Sequence, residues 1–313
     1  MNRTGIEYLD FTWSPIAMRC TPCSPGCTNC WHIRTADRMS HNHCSFPLQI
    51  REAYAGRGGP VLVDERLNDP LKRKKPARIG IQFMGDLWHK DVHWPKIDEI
   101  FLKCHQAEHH TYLFLTKRIK AALYYFNSPI YSKPTMRRTE FLKHENIHFG
   151  VTVCNQSEAD EKIPILLQIP AAVRWISVEP ILGPVDLEDY FHIGSENCHL
   201  GESHRLKKCG CQFGIDWVIC GGETGPGARL MHPDWARSLR DQCVSAGVPF
   251  FFKQWGEWTS EEGWYLQEKF GASYKSIIVE KDKTDKIGIS MGRVGKKKAG
   301  RLLDRKEWNQ YPK

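Results

Sequence analysis

Four cysteines lie close together near the N-terminus of the chain: Cys20, Cys23, Cys27 and Cys30. Prolines and a glycine stand between them, which disfavours a helix and favours a tight loop. Thiols so close in sequence pair poorly as disulfides, because a disulfide needs a particular separation and direction of its Cα–Cβ bonds. Thiolates that converge on a loop are the ligands that soft metals and iron–sulfur clusters require. The loop therefore predicts a metal site.

The spacing of the cysteines leaves the metal open. Cys23, Cys27 and Cys30 are separated by three and then two residues, the spacing of radical S-adenosylmethionine enzymes. The set that starts at Cys20 instead has gaps of six and two residues. Either set can hold a [4Fe–4S] cluster and leave one iron free for another ligand. Zinc is the alternative, because four thiolates make a closed structural site, although zinc ribbons usually join two Cys-x-x-Cys pairs from distant parts of a chain.

The composition is that of an ordinary globular protein of 313 residues. The sequence has no secretory signal pattern and no apolar run of membrane-spanning length, so we expect a cytoplasmic protein with reduced cysteines. Its formal charge of +8 suits a polyanionic partner such as nucleic acid or a phosphorylated substrate. The same charge is also compatible with a merely well-solvated surface.

Short apolar, β-branched or aromatic runs alternate with helical patterns along the chain. The predicted strands are 7–13, 78–83, 111–116, 147–153, 173–178, 217–220 and 249–252. The predicted helices are 31–39, 94–109, 119–126, 157–168 and 233–246, and the stretch 41–76 is predicted to be irregular. Such alternation indicates βαβ units, and hence an α/β fold with a TIM-type (β/α) barrel, complete or partial. A doubly wound open sheet is the alternative.

Both architectures bind ligands at the carboxyl ends of the strands, and nearly every predicted strand ends in a polar residue. The candidate catalytic or substrate-binding residues are Asp86, Lys117, Glu179, Glu223 and Lys253. The candidate cofactor-binding residues are Asn155, Gly221, Gly222 and Arg229. The cationic residues of this set, together with Arg118, can hold a carboxylate or a phosphate. The acidic residues of the set can bind hydroxyl or amino groups. At any single position, a polar residue also occurs because strands end at the surface.

The predicted barrel domain spans 1–258 and contains an insertion at about 194–214. Cys198, His199, His204, Cys209 and Cys211 within it can bind zinc or a second cluster, although their spacing matches no strong template. Residues 259–313 are predicted to form a basic C-terminal extension that packs on the barrel.

Short motifs are distributed along almost the whole chain. They are Thr4-Gly-Ile-Glu7, Trp13-Ser-Pro15, Ser24-Pro-Gly-Cys27, Cys30-Trp31, Met84-Gly-Asp-Leu-Trp-His89, Leu115-Thr-Lys-Arg118, Phe149-Gly-Val-Thr-Val153, Ser177-Val-Glu-Pro180, Asp216-Trp-Val-Ile-Cys-Gly-Gly-Glu223 and Phe252-Lys-Gln-Trp-Gly256, followed by the segment from Gly295 to Trp308. With these residues the chain resembles a family common in bacteriophages and mobile elements, the phage three-cysteine-motif family of unknown function.

The resemblance implies cluster ligation by Cys20, Cys27 and Cys30, with Cys23 as an additional cysteine. It also implies a relationship to radical S-adenosylmethionine enzymes, which carry a cysteine loop after the first strand of a partial barrel. In many of those enzymes Gly-Gly-Glu follows an early strand, whereas here it follows the sixth predicted strand.

We therefore expect an iron–sulfur, radical-SAM-like enzyme that reductively cleaves S-adenosylmethionine to modify a substrate. The favoured substrate is a nucleotide or a nucleic-acid base, and a phage-encoded protein is a candidate partner. The alternative is a zinc-stabilised nucleic-acid-binding or accessory phage protein without catalysis. A metal-dependent hydrolase built on Asp86, Glu179 and Glu223 lacks a clear ligand pattern.

Overall fold

The structure is a computed structural model, and it describes residues 1–130, 133–191, 214–260, 276–279 and 289–312. The strands are β1 (Asn2–Arg3), β2 (Phe11–Trp13), β3 (Ile16–Ala17), β4 (Val61–Leu62), β5 (Arg78–Ile81), β6 (Thr111–Thr116), β7 (Pro129–Ile130), β8 (Lys133–Arg137), β9 (Ile147–Thr152), β10 (Val173–Val178), β11 (Trp217–Gly221), β12 (Phe250–Gln254), β13 (Trp258–Ser260), β14 (Ser276–Val279) and β15 (Ile289–Arg293). The α-helices are α1 (Trp31–Ser40), α2 (Leu48–Ala55), α3 (Asp64–Leu67), α4 (Asp69–Lys72), α5 (Trp94–Gln106), α6 (Ile119–Asn127), α7 (Gln156–Leu166), α8 (Pro233–Ala246) and α9 (Lys296–Ala299). The predicted zinc ligands Cys198, His199, His204, Cys209 and Cys211 lie outside the described residues.

One eight-stranded sheet organises the fold, with strand order β1-β2-β5-β6-β9-β10-β11-β12. All neighbours from β2 to β12 are parallel, and only β1 runs antiparallel to β2. From β2 onward each strand lies beside the preceding sheet strand in the chain, so the order never reverses as it does in a doubly wound sheet. The sheet curls into a half-barrel flanked by helices, which confirms the mixed α/β class.

The central strands are apolar on both faces, as parallel strands covered on both sides must be. Every residue of β10 and of β11 is buried. Helices α5, α6, α7 and α8 cover the outer face, where the main apolar cluster of the protein lies. Helix α8 begins with Pro233 and ends at Gly247, whose φ of 67° is the left-handed conformation that favours glycine at a helix end.

The inner face of the half-barrel changes from aromatic to polar along the strand direction. Alternation in β10 puts Trp175, Ser177 and Glu179 on the same face of the sheet. At the lower end, Trp175 pairs in register with Trp217, and both contact the ring of Tyr8. This aromatic group closes the lower end of the half-barrel and leaves the carboxyl ends of the strands to line an open mouth.

Two sequence expectations are corrected by local structure. The stretch 41–76 is not irregular: it contains helices α2, α3 and α4 and the short strand β4. Gly56 follows α2 as its C-cap in the left-handed conformation, with φ of 79°, which favours glycine at a helix end. The first predicted strand begins later than expected, at Phe11, because residues 7 and 8 form a turn.

The described part of the C-terminal segment packs on the edge of the sheet. The backbone N–H of Phe252 in β12 donates to the carbonyl of Trp308 at 2.9 Å, and the indole N–H of Trp255 donates to Leu302 at 2.8 Å. The N–H of Phe250 donates to the Gln310 side chain at 2.9 Å. Within the described residues no helix is both long and apolar enough to cross a membrane.

Candidate active site

A cavity of about 530 Å³ opens at the carboxyl ends of the parallel strands. Its walls come from the polar continuation of the inner face, and they include Thr152 of β9, Ser177 of β10 and Lys117 just after β6. The cysteine loop lies over one side of it. Period-two alternation and the common strand direction therefore bring residues from distant parts of the chain to one place.

The cysteine loop is held by local hydrogen bonds and by a close approach to the sheet. Ser24 accepts a hydrogen bond from the N–H of Gly26 at 3.2 Å, at the start of a 3₁₀ turn over Pro25–Cys27. Gly26 rests against Cys154, which follows the end of β9: a Cβ atom on residue 26 would lie 2.5 Å from the Cys154 sulfur. Only glycine fits this contact without a shift of the loop or of Cys154.

Three of the four clustered cysteines line the cavity: Cys20, Cys27 and Cys30. Cys23 is exposed and is not among the lining residues. Among the described residues no group of three or more Cys, His, Asp or Glu side chains is arranged to hold a metal ion. The loop thus presents three thiols to one cavity, but their sulfurs are not gathered around a single point.

The charges around the loop favour thiolate at one position. A hydrogen bond from Cys23, and less strongly the nearby Lys117, lower the pKa of Cys27 to about 5 against the opposing effect of burial. The same hydrogen bond raises the pKa of Cys23. Burial opposes protonation of Lys117, but Cys154, Cys27, Cys30 and Asp86 outweigh it and raise the pKa of the ammonium group. Lys117 is therefore close enough to Cys27 to favour the thiolate form of that cysteine.

Asp86 is a buried anchor for the neighbouring strand end. Its carboxylate accepts hydrogen bonds from the Thr116 hydroxyl at 2.8 Å and from the N–H groups of Lys117 and Trp88, each at 3.0 Å. Arg118 donates both to Asp86 at 3.3 Å and to the Cys20 sulfur at 3.5 Å. Asp86 thereby fixes the guanidinium group that contacts the first cysteine of the loop.

Glu179 and Lys253 form an ion pair across the mouth, with 2.5 Å between Oε1 and Nζ. Both side chains are half-buried and line the cavity. Lys253 also lies 5.9 Å from the centre of the Tyr8 ring at the cavity floor. This pair offers a donor and an acceptor to a polar ligand.

Glu223 is held by Arg229 and Asn29. Arg229 donates from Nη2 and Nε to the two carboxylate oxygens at 2.6 and 2.9 Å, and Asn29 donates at 2.9 Å. Burial opposes ionisation, but these hydrogen bonds keep the pKa of Glu223 below its ordinary value. Because Asn29 belongs to the cysteine loop, Glu223 ties that loop to the end of β11.

Residues 3–312 match the sequence profile of a family described as "Protein of unknown function (DUF5131)". The chain belongs to this family. No curated protein and no solved structure matches the chain.

In this DUF5131 protein the structure brings most of the predicted site residues together. Asp86, Lys117, Glu179, Gly222, Glu223 and Lys253 line the cavity with the three cysteines. Gly221 and Arg229 do not line the cavity but neighbour residues that do: Gly221 lies against Glu179 and Lys253, and Arg229 binds Glu223. Arg229 also reaches the loop through a 3.0 Å hydrogen bond to the Pro25 carbonyl. Asn155 does not reach the cavity wall: its side chain caps α7 by accepting from the N–H of Glu158 at 3.0 Å.

Other cavity residues were not expected from the sequence. Tyr8 and Trp31 line the cavity, and the buried His32 accepts a hydrogen bond from the N–H of Cys20 at 3.2 Å. Burial lowers the pKa of His32 to about 4, so the ring is neutral and able to accept. The only sequence signal for Trp31 and His32 was their position directly after Cys30, since their place at the mouth depends on how α1 leaves the loop.

Proposed function

We propose that this protein is an iron–sulfur, radical-SAM-like enzyme that reductively cleaves S-adenosylmethionine to modify a nucleotide or a nucleic-acid base. The observation that carries the proposal is that Cys20, Cys27 and Cys30 line one cavity at the carboxyl ends of a parallel half-barrel. In this interpretation the half-barrel is a partial (β/α) barrel, and the cysteine loop follows its first parallel strand. The resemblance to the phage three-cysteine-motif family supports the same set of ligands.

The donor set fits a cluster in its chemistry. Three thiolates on a four-iron cluster leave one iron for the amino acid part of S-adenosylmethionine. Lys117 and Arg118 place two cations beside the thiols, which offsets the negative charge that thiolates and a cluster bring into a partly buried site. When bound, the cluster would pass one electron from an external reductant to the sulfonium of S-adenosylmethionine; its S–C5′ bond would break, giving methionine and a 5′-deoxyadenosyl radical able to take a hydrogen atom from the substrate.

The residues of the chain would bind and orient the two organic ligands. The Glu179–Lys253 pair supplies hydrogen bonds for a ribose or an amino acid group, and Lys117 supplies a cation for a carboxylate or a phosphate. Because Gly222 has no side chain, its backbone packs directly against the end of β12, where its N–H donates to the Gln254 carbonyl at 2.9 Å. The aromatic floor around Tyr8, Trp175 and Trp217 excludes water beneath the reacting groups.

Anaerobic reconstitution with iron and sulfide tests the metal. We expect a brown protein with about four irons per chain, and production of 5′-deoxyadenosine and methionine when reductant and S-adenosylmethionine are added. Cys27→Ser should lose the colour, whereas Cys44→Ser, at an exposed cysteine outside the loop, should keep it. A colourless protein with stoichiometric zinc would refute the proposal.

A zinc-stabilised nucleic-acid-binding or accessory protein is the second candidate, and the position of Cys23 favours it. Cys23 lies beside Cys27 and lowers its pKa, so a fourth thiol stands next to one of the three that line the cavity. A closed zinc site would need all four thiolates. Cys23→Ser separates the candidates, because it should leave a three-cysteine cluster in place but should sharply weaken zinc binding, with unfolding by chelators at lower concentration.

A further inference from the structure

An exposed aromatic side chain stands at the mouth of the cavity. Trp31 is the first residue of α1, lines the cavity, and keeps 44% of its surface exposed. Most large apolar side chains among the described residues are buried, and the other aromatic side chains that line the cavity are less exposed than Trp31. An indole that is exposed and faces a polar cavity is a suitable surface for stacking a planar ring.

Two arginines reach the loop at Gly225, directly after the cavity-lining residues Glu223 and Thr224. Arg34, one turn along α1 from Trp31, has its guanidinium group close to Gly225, and Arg293 donates to the Gly225 carbonyl at 3.1 Å. Both arginines are exposed. Two chain segments that are far apart in sequence therefore bring positive charge to one loop at the rim.

Helix α9 extends the positive charge away from the cavity. Lys296 lines the cavity and pairs with Glu7 at 3.3 Å. Lys297 and Lys298 are exposed, do not line the cavity, and make no ion pair among the described residues. Two acidic groups at this rim already have partners: Glu7 pairs with Lys296, and Glu257 accepts from the N–H of Gly225 at 2.9 Å.

We infer that the mouth binds a single-stranded nucleic acid, with one base stacked on Trp31 and the phosphates of neighbouring nucleotides held by Arg34, Arg293, Lys297 and Lys298. A free nucleotide would need cations only at the cavity, whereas Lys297 and Lys298 lie beyond it. Aromatic stacking combined with a row of cations is how proteins hold single strands, whose bases are free to unstack. A paired duplex would keep its bases away from the indole.

This inference specifies the substrate class of the proposed enzyme, but the binding it describes is measurable without catalysis. The probe is a fluorescein-labelled oligonucleotide of about 12 nucleotides, as DNA and as RNA, followed by fluorescence anisotropy with the full-length protein at several salt concentrations. Binding should weaken as salt rises, and a duplex of the same sequence should bind less tightly.

Two pairs of variants test the residues. Lys297→Gln with Lys298→Gln should weaken binding about 20-fold at 0.1 M salt and reduce the slope of log K against log salt by about 1.4, from two phosphate contacts. The matched control is Lys74→Gln with Lys75→Gln: these exposed lysines precede β5 and so lie at the opposite end of the sheet. Trp31→Ala should weaken binding about 10-fold, while Tyr124→Ala, at another exposed aromatic, should not.

The inference would be overturned if the test and control variants lost equal amounts of affinity for the oligonucleotide. It would also be overturned if polyglutamate displaced the oligonucleotide as readily as an unlabelled strand does. An absence of oligonucleotide binding would overturn it as well. A protein that cleaves S-adenosylmethionine but binds no strand would refute this inference alone. A protein that binds strands through Trp31 but assembles no cluster would refute the proposed enzyme and leave the binding surface standing.

Discussion

The contact between Gly26 and Cys154 allows a quantitative test of how the cysteine loop is seated. In Gly26→Ala, the added Cβ would lie 2.5 Å from the Cys154 sulfur and 3.1 Å from Cδ of Pro180. Ordinary contacts of this kind are about 3.5–4.0 Å, so either the loop or the sulfur must move by about 1 Å. Overpacking of this size typically lowers the free energy of unfolding by about 1–3 kcal/mol.

A variant that lacks the Cys154 sulfur is the control for this prediction. Cys154→Ala removes the atom that the new methyl group at position 26 would meet, and by itself it should cost about 1 kcal/mol for the lost buried volume. In the double variant that methyl group occupies the space of the missing sulfur. We therefore expect the double variant to be about 1–2 kcal/mol more stable than the sum of the single effects predicts.

The assay is urea unfolding of the wild type, both single variants and the double variant, with Gly5→Ala as the matched glycine substitution. A Cβ at residue 5 meets no atom within 4 Å, so its effect should stay within about 0.5 kcal/mol. Iron bound per chain after reconstitution should fall in Gly26→Ala and return in the double variant. Additive single effects, or a Gly26→Ala cost no larger than that of Gly5→Ala, would refute the proposed seating of the loop.

Three further predictions concern the scaffold. Gly222→Ala should destabilise the protein by about 3 kcal/mol or more in urea unfolding, because its Cβ would lie 2.0 Å from the backbone oxygen of Trp255, which cannot rotate away. Arg138→Met should lower the free energy of unfolding by about 3–5 kcal/mol, because it removes the guanidinium group that donates to the Asp98 carboxylate at 2.7 and 2.8 Å. Adding Asp98→Asn to the same chain should recover part of that loss. If the effects of the two substitutions simply add, the pairing is contradicted. Burial and the neighbouring imidazole of His144 lower the pKa of His105 to about 4. Between about pH 6.5 and pH 4 the unfolded chain therefore binds more protons than the folded chain. The free energy of unfolding should then fall as pH is lowered through that window. His105→Gln should flatten that fall, and an unchanged pH profile would contradict it.

Local sequence patterns determined the regular elements well. The predicted strands 111–116 and 173–178 and the predicted helix 233–246 match β6, β10 and α8. Each of these has a strong local signal: an apolar run too short for a helix, or a proline at the start and a glycine at the end of an amphipathic stretch. Helix α2 was missed because it is only eight residues long and has no side-chain cap at its start, so its local signal is weak.

The site was predictable as a set of strand ends but not as a set of contacts. Parallel strands bring their carboxyl ends to one edge whatever their side chains, so Lys117, Glu179 and Lys253 could be grouped in advance. The pairing of Glu179 with Lys253, and the use of Asn155 as a helix cap, could not. Both depend on the register of neighbouring strands and on where each loop turns.

The sequence by itself determined the kinds of groups present: clustered thiols in a loop that cannot be helical, and alternating strands and helices that end in polar residues. These follow from the chemistry of each residue and its nearest neighbours in the chain. Only the tertiary structure decided that Cys23 lies outside the cavity lined by the other three thiols, that Cys154 lies under Gly26, and that Trp31 shares a rim with α9. The last two arrangements bring together residues more than a hundred positions apart, and their geometry is set by the curvature of the sheet and the packing of the whole core.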